Sequence, residues 1–183
     1  MHTTIRASAV GFVLLIAMQA STAVAQDAPR VDVAGGYAYL HESDLSVPAG
    51  WFAAVGGNIN QWLGIVGAVS GHYKSATESG IDVHTSLHTF VAGPRFAAHA
   101  NPAVTPYVQL LFGGARVSAS VNVPGIASGS DTQNGFDFQP GAGVDITASR
   151  SVAVRLGVNA DYIRSGGETN KEFQFIAGVV IRR

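Results

Sequence analysis

The sequence predicts an all-β fold, an eight-stranded antiparallel up-and-down transmembrane barrel, and three observations lead there. Apolar and polar residues alternate with period two along the C-terminal half. Phe136, Phe138, Pro140, Ala142, Val144 and Ile146 interleave with Asp137, Gln139, Gly141, Gly143, Asp145 and Thr147. Val152, Val154, Leu156, Val158, Ala160 and Tyr162 interleave with Ala153, Arg155, Gly157, Asn159 and Asp161. Strand side chains point to opposite faces in turn, so one face is greasy and the other carries charge, amide and glycine. Mean hydropathy is +0.24, yet beyond the first segment no apolar run approaches the ~20 residues a membrane helix needs. The connections also alternate between tight turns and long polar loops, as in outer-membrane barrels.

Bulk composition narrows the function classes. The chain has 183 residues, 47% of them apolar and 13% charged, with 22 glycines. A soluble domain carries about 25% charge, so this chain is poor in it. A net charge of -1 and a pI near 6.6 leave no basic excess to neutralise phosphates, which argues against nucleic acid as a partner. The absence of cysteine removes disulfides and thiolate metal sites.

Residues 1–25 read as a cleaved signal peptide and residues 26–183 as one barrel domain. Arg6 supplies a positive start, Val10 to Met18 an apolar core, and Ala23-Val24-Ala25 a small-x-small cleavage site, so the mature chain is expected to begin at Gln26. The apolar core is too short to span a membrane. Export and alternation together place the protein in a bacterial outer membrane.

Eight strands follow, expected at 30–40, 49–60, 62–73, 83–98, 104–117, 134–147, 151–164 and 171–182. Each reaches the roughly 9–11 residues of a tilted membrane strand. Asn60-Gln61, Asn101-Pro102 and Ala148-Ser149-Arg150 mark tight turns, while 41–48, 74–82, 118–133 and 165–170 read as longer loops. An even strand count puts both termini at the short-turn, periplasmic end. Two aromatic girdles are expected at the two interfaces. Tyr37, Tyr39, Trp51, Tyr73, Phe136, Phe138, Tyr162 and Phe173 would form one, and Trp62, Phe96 and Tyr107 the other. The earlier strands are less clean, because Leu63, Ile65 and Val69 alternate with Gly64, Val66 and Ala68.

These features resemble the small outer-membrane β-barrel family of the OmpA/OmpX kind, over Val31 to Ile181. Thr89 to Phe96, followed by Val104-Thr105-Pro106-Tyr107, is similar to the central hairpin of such barrels. The resemblance implies an integral outer-membrane protein with a structural or surface-interaction role. Its partners would be outer-membrane lipid, lipopolysaccharide and the barrel-assembly machinery. It would be a monomer without catalysis, cofactor or bound metal.

Parity turns Arg95, Asp137, Asp145, Arg155, Asn159, Asp161, Glu172 and Gln174 inward, and an eight-stranded interior is just wide enough to be filled by side chains. These residues are expected to form a structural network of ion pairs and hydrogen bonds, since buried charges are normally paired. A narrow gated pore is the functional alternative. His84, Ser86 and His88 share one strand face near Glu78 and Asp82. The His-x-Ser pair resembles that of lipid A deacylases, also eight-stranded barrels, which would make Ser86 a nucleophile and His84 its base in a lipid A-modifying hydrolase. The competing account is a polar strand end. His41-Glu42-Ser43-Asp44 reads as a solvated loop, because adjacent loop residues rarely converge on a metal. A third alternative is a secreted soluble ligand-binding barrel, with the apolar face turned inward. The faces taken by Asp145, Arg155 and Asp161 separate that case from a membrane barrel.

Overall fold

The computed structural model describes residues 29–42, 45–47, 49–78, 81–123, 127–165 and 168–183; the expected signal segment lies outside the described residues. Nine β-segments follow in chain order: β1 (Val31–Glu42), β2 (Leu45–Val47), β3 (Ala49–Asn58), β4 (Leu63–Glu78), β5 (Ile81–Ala97), β6 (Val104–Val123), β7 (Ala127–Thr147), β8 (Val152–Ser165) and β9 (Glu168–Arg182). Every neighbour pairs antiparallel, and β9 returns to pair β1 from Asp32↔Arg182 to His41↔Phe173. The sheet therefore closes on itself and leaves no long unpaired edge. The nine segments make eight staves, because β2 and β3 both pair with β1. Their register steps by one residue between Tyr37↔Trp51 and Leu40↔Val47, the signature of one extra residue in that stave.

Tight turns at one end are built from side chains that replace missing strand hydrogen bonds. Asn60 Oδ1 accepts from the backbone N–H groups of Trp62 (2.9 Å) and Leu63 (2.7 Å), and Asn101 Oδ1 accepts from Ala103 N–H at 2.8 Å. This Asx geometry lets asparagine close a turn in few residues.

The other end departs from the sequence expectation. β4 runs on to Glu78, β6 to Val123, and β7 begins at Ala127, so most of the loops expected at 74–82 and 118–133 are strand. Ser and Gly content suggests loop, but Val117-Ser118-Ala119-Ser120-Val121 keeps the alternation and pairs residue for residue with β7, from Val117↔Gln133 to Val123↔Ala127. Residues 124–126 lie outside the described residues. The 20 residues of β6 at about 3.4 Å each extend roughly 65 Å. Tilted by about 40°, that far exceeds an apolar band about 25 Å tall, so the β6–β7 hairpin projects well beyond it.

The exterior is apolar: Val33, Ile65, Phe90, Val108, Leu156 and Ile181 are all exposed. The interior holds the charges. Asp145 (5% exposed), Arg155 (2%) and Asp161 (1%) all point inward, which rules against an inward apolar face and the soluble ligand-binding barrel. The interior is nonetheless mixed. Ala34, Phe52, Ala54, Val66, Val91 and Leu111 form an apolar cluster inside the barrel, contributed largely by the staves whose alternation is weakest. Val66 faces in and Ile65 out, so that weak alternation means apolar residues on both faces.

Candidate functional site: the filled lumen and its two ends

Three layers of polar side chains cross the lumen. The layer nearest the short turns is ionic. Asp32 of β1 accepts from Arg95 Nη1 at 3.1 and 3.2 Å and from Arg155 Nη2 at 3.4 Å. Asp145 accepts from Arg155 Nε (2.8 Å) and Nη2 (2.9 Å), the planar fork that suits a carboxylate, and from Arg182 Nη2 at 2.9 Å. Tyr107 lies between the two buried guanidiniums, with Arg95 Cζ 5.2 Å and Arg155 Cζ 5.0 Å from its ring centre, within cation–π range.

Tyr107 is thus no member of an interfacial girdle; it is 4% exposed and faces inward. The physical reason is parity and room. Thr105, Tyr107 and Gln109 share the buried face of β6, and the phenol lies against Gly143 and Gly157. A Cβ at Gly143 would stand 2.5 Å from the Tyr107 hydroxyl, and one at Gly157 would stand 2.8 Å from it. Only glycine permits that approach. Trp62 and Phe96 do stand outside at this end, stacked with centroids 5.9 Å apart.

The middle layer is a chain of neutral donors and acceptors. Gln109 Nε2 donates to Asn159 Oδ1 (3.1 Å), Asn159 Nδ2 to Gln174 Oε1 (2.8 Å), and Gln174 Nε2 to Ser70 Oγ (3.2 Å), which pairs with Thr89 Oγ1 (2.8 Å). The chain joins β6, β8, β9, β4 and β5 across the barrel. The layer nearest the long loops is acidic. Asp161 accepts from Gln139 and lies opposite Glu172 in the β8–β9 register. Asp137, 0% exposed, takes no protein donor at either oxygen. His72, also buried, has a protein partner at neither ring nitrogen.

Thus Arg95, Asp145 and Arg155 come together in one layer, Asn159 and Gln174 in a second, and Asp137, Asp161 and Glu172 at a third height. Sequence reasoning missed Asp32, Tyr107, Arg182, Gln109 and Gln139. The signal for Asp32 lay in β1, where Asp32, Ala34, Gly36, Ala38 and Leu40 alternate with bulkier Val31, Val33, Tyr37 and Tyr39. Two cavities flank the ionic layer. One, lined by Phe52, Val66, Arg95, Tyr107 and Arg155, measures about 20 Å³, and the other, bounded by Asp32, Asn58, His99 and Arg182, about 10 Å³. A water needs about 10–15 Å³, so each has room for roughly one.

His84, Ser86 and His88 lie on the outer face of β5. His84 Nδ1 pairs with Ser75 Oγ at 2.8 Å, and His88 Nε2 with the Tyr73 hydroxyl at 3.1 Å; neither bond goes to Ser86. The side chains of Glu78 and Asp82 lie outside the described residues. His41 stacks on Tyr39 with centroids 6.5 Å apart, while Ser43 and Asp44 lie outside the described residues. Among the described residues, no group of three or more His, Asp or Glu is arranged to hold a metal ion.

Ail, the attachment invasion locus protein of Yersinia pestis, superposes with a TM-score of 0.60 at 18% identity, over 84% of this chain and 96% of Ail. Neisserial surface protein A gives 0.62 at 18% identity, over 84% and 96%. The N-terminal β-barrel domain of Pseudomonas aeruginosa OprF gives 0.53 at 12% identity, over 86% and 100%. At these identities the likeness is one of fold. No curated protein matches this chain. The description "Outer membrane protein beta-barrel domain" fits residues 10–182, nearly the whole sequence. The chain belongs to the outer membrane protein β-barrel domain family.

Proposed function

We propose that the protein is a monomeric, non-catalytic barrel of the bacterial outer membrane. Export removes residues 1–25, and the long strand ends and loops act at the cell surface. The short turns then face the periplasm and the long hairpins the exterior. One observation carries the reading: the ion-pair layer around Tyr107 fills the lumen where a pore would need an opening. Arg95, Asp145, Arg155, Asn159, Asp161, Asp137 and Glu172 serve as structural filling on this reading, leaving the exterior of the barrel and its projecting hairpins as the interacting surfaces. The fold relative Ail is an attachment protein by name and has been crystallised with the heparin analogue sucrose octasulfate. That supports a surface-interaction role without assigning a ligand.

The test is threefold and uses the chain from Gln26 refolded in micelles. Unboiled protein is expected to migrate differently from boiled protein on a denaturing gel; identical mobility would sink the barrel. In planar bilayers the wild type is expected to show no steady conductance, and stable unitary steps would replace the plug with a pore. Incubation with lipid A is expected to release no fatty acid; release abolished by Ser86→Ala would establish the hydrolase instead.

A further inference from the structure

The outer face of the barrel is unevenly charged. On the contiguous strands β6 to β9, the described outward residues at the long-loop end include three charges, Arg116, Arg164 and Lys171, all basic and all exposed. The described outward residues of β1, β3, β4 and β5 at this end carry no arginine or lysine; Trp51, Tyr73, His84 and His88 occupy that height instead.

Beneath the three cations runs an aromatic tract. Phe112 stacks on Phe138 at 4.9 Å and Phe138 on Tyr162 at 6.0 Å. Lys171 Nζ lies 5.4 Å from the Tyr162 ring centre and 5.0 Å from that of Phe173. In register, Arg116 lies opposite Asn134, Arg164 opposite Phe136, and Lys171 opposite Tyr162. Arg164 and Lys171 each lie two residues beyond an outward aromatic, Tyr162 and Phe173, a step of roughly 6–7 Å along a strand. With strands about 4.8 Å apart and these register offsets, neighbouring cations have Cα atoms on the order of 10 Å apart and Arg116 and Lys171 roughly 20 Å apart, so the long side chains span the width of one headgroup that carries two phosphates.

Resting on the membrane reading above, we propose that this arc is a docking site for a phosphate-bearing glycolipid of the outer leaflet. Aromatic rings settle at the membrane–water interface, so cations one pleat above them stand at headgroup height. Guanidiniums bind phosphate through paired N–H donors, Lys171 adds a point charge, and Asn134 adds an amide. Acyl chains lie along Phe112, Phe138 and Tyr162. The charge complement decides the occupant: outward cations with no outward acid beside them among the described residues, over a greasy floor, fit an anionic lipid better than a soluble anion, which would leave that floor unused.

The experiment reconstitutes the chain from Gln26 in phosphatidylcholine nanodiscs containing bisphosphorylated lipid A, and native mass spectrometry counts lipid A retained after detergent release. Wild type and the opposite-side variant H84A/H88A are expected to retain it. The variant R116A/R164A/K171A is expected to lose at least ten-fold, and dephosphorylated lipid A to be retained no better than phosphatidylcholine. Heat-modifiable mobility checks that each protein is folded, and its loss in the wild type would refute the membrane barrel rather than the site. The phosphate comparison on wild type alone decides the matter should the triple variant misfold. Equal retention of phosphorylated and dephosphorylated lipid would overturn the proposal. So would equal retention by wild type and a folded triple variant, or full release by millimolar inorganic phosphate or sucrose octasulfate, which would show a general anion patch.

Discussion

The two ends of the lumen solve the problem of buried charge in opposite ways. Toward the short turns, Asp32 and Asp145 are each held by two guanidiniums drawn from Arg95, Arg155 and Arg182. Toward the long loops, Asp137 has no protein donor, Asp161 takes one amide, and Glu172 stands opposite Asp161. Charge buried without a partner is costly, and removing one partner from a buried pair is destabilising because it leaves such a charge behind. The short-turn end therefore compensates its carboxylates with guanidiniums, whereas the filling of the long-loop end leaves Asp137 without a protein donor.

The largest effect expected from this contrast is at Arg155, whose guanidinium bonds both buried carboxylates of the ionic layer. Arg155→Ala leaves Asp145 with Arg182 alone and Asp32 with Arg95 alone. The cost is expected at about 3–5 kcal/mol, read as a lower urea midpoint for loss of the heat-modifiable band. An unchanged midpoint would mean that the ion layer contributes nothing to stability. Next is Gly157→Ala, whose methyl meets the Tyr107 hydroxyl. Overpacking is expected to cost about 1–3 kcal/mol, and appreciably less in a Tyr107→Ala background, since contacting residues couple. Additive costs would show that the phenol is not what the glycine accommodates.

At the other end the sign reverses. Asp137→Asn removes a charge with no donor and relieves its repulsion with the neighbouring acids. Asparagine keeps polar atoms at the site, so only the cost of the charge is relieved, and stability is expected to rise by about 1 kcal/mol, a part of the several kcal/mol that an unpaired buried charge costs. A fall of similar size would reveal that the carboxylate is paired after all and that the two ends are alike.

How legible this was depends on which strand is read. In β7, β8 and β9 the alternation is strict, so Asp137, Asp145, Arg155, Asn159, Asp161, Glu172 and Gln174 can be assigned a face from sequence alone. What parity does not carry is height or partner. Asp32 lies 63 residues from Arg95 and 123 from Arg155, and sequence gives no rule for the stagger between distant staves. That stagger is what sorts the inward residues into an ionic, an amide and an acidic layer. Tyr107 was misassigned for a different reason. Position near a strand end suggests a girdle, but its shared parity with Thr105 and Gln109 points it inward, and the structure adds the room that the glycines at 143 and 157 leave for it. The projecting β6–β7 hairpin is hard to read from sequence because its serines and glycines suggest loop while the alternation continues through them.

The smallest effect separates uncompensated charge from uncompensated polarity. His72 is buried with a protein partner at neither ring nitrogen, and its ring fills the space a Cβ at Gly50 would take. His72→Phe keeps a planar ring, larger by one atom, and deletes the two nitrogens. Replacing unsatisfied polar atoms by apolar ones of the same shape is close to neutral or stabilising, so the midpoint is expected to move upward by less than about 1 kcal/mol. A rise smaller than that of Asp137→Asn would attribute the strain of the long-loop end mainly to its carboxylates. A loss above about 2 kcal/mol, the scale of a broken buried hydrogen bond, would instead mean that the imidazole is held by a bond the fold depends on, and the long-loop end would then be as fully satisfied as the ionic layer below it.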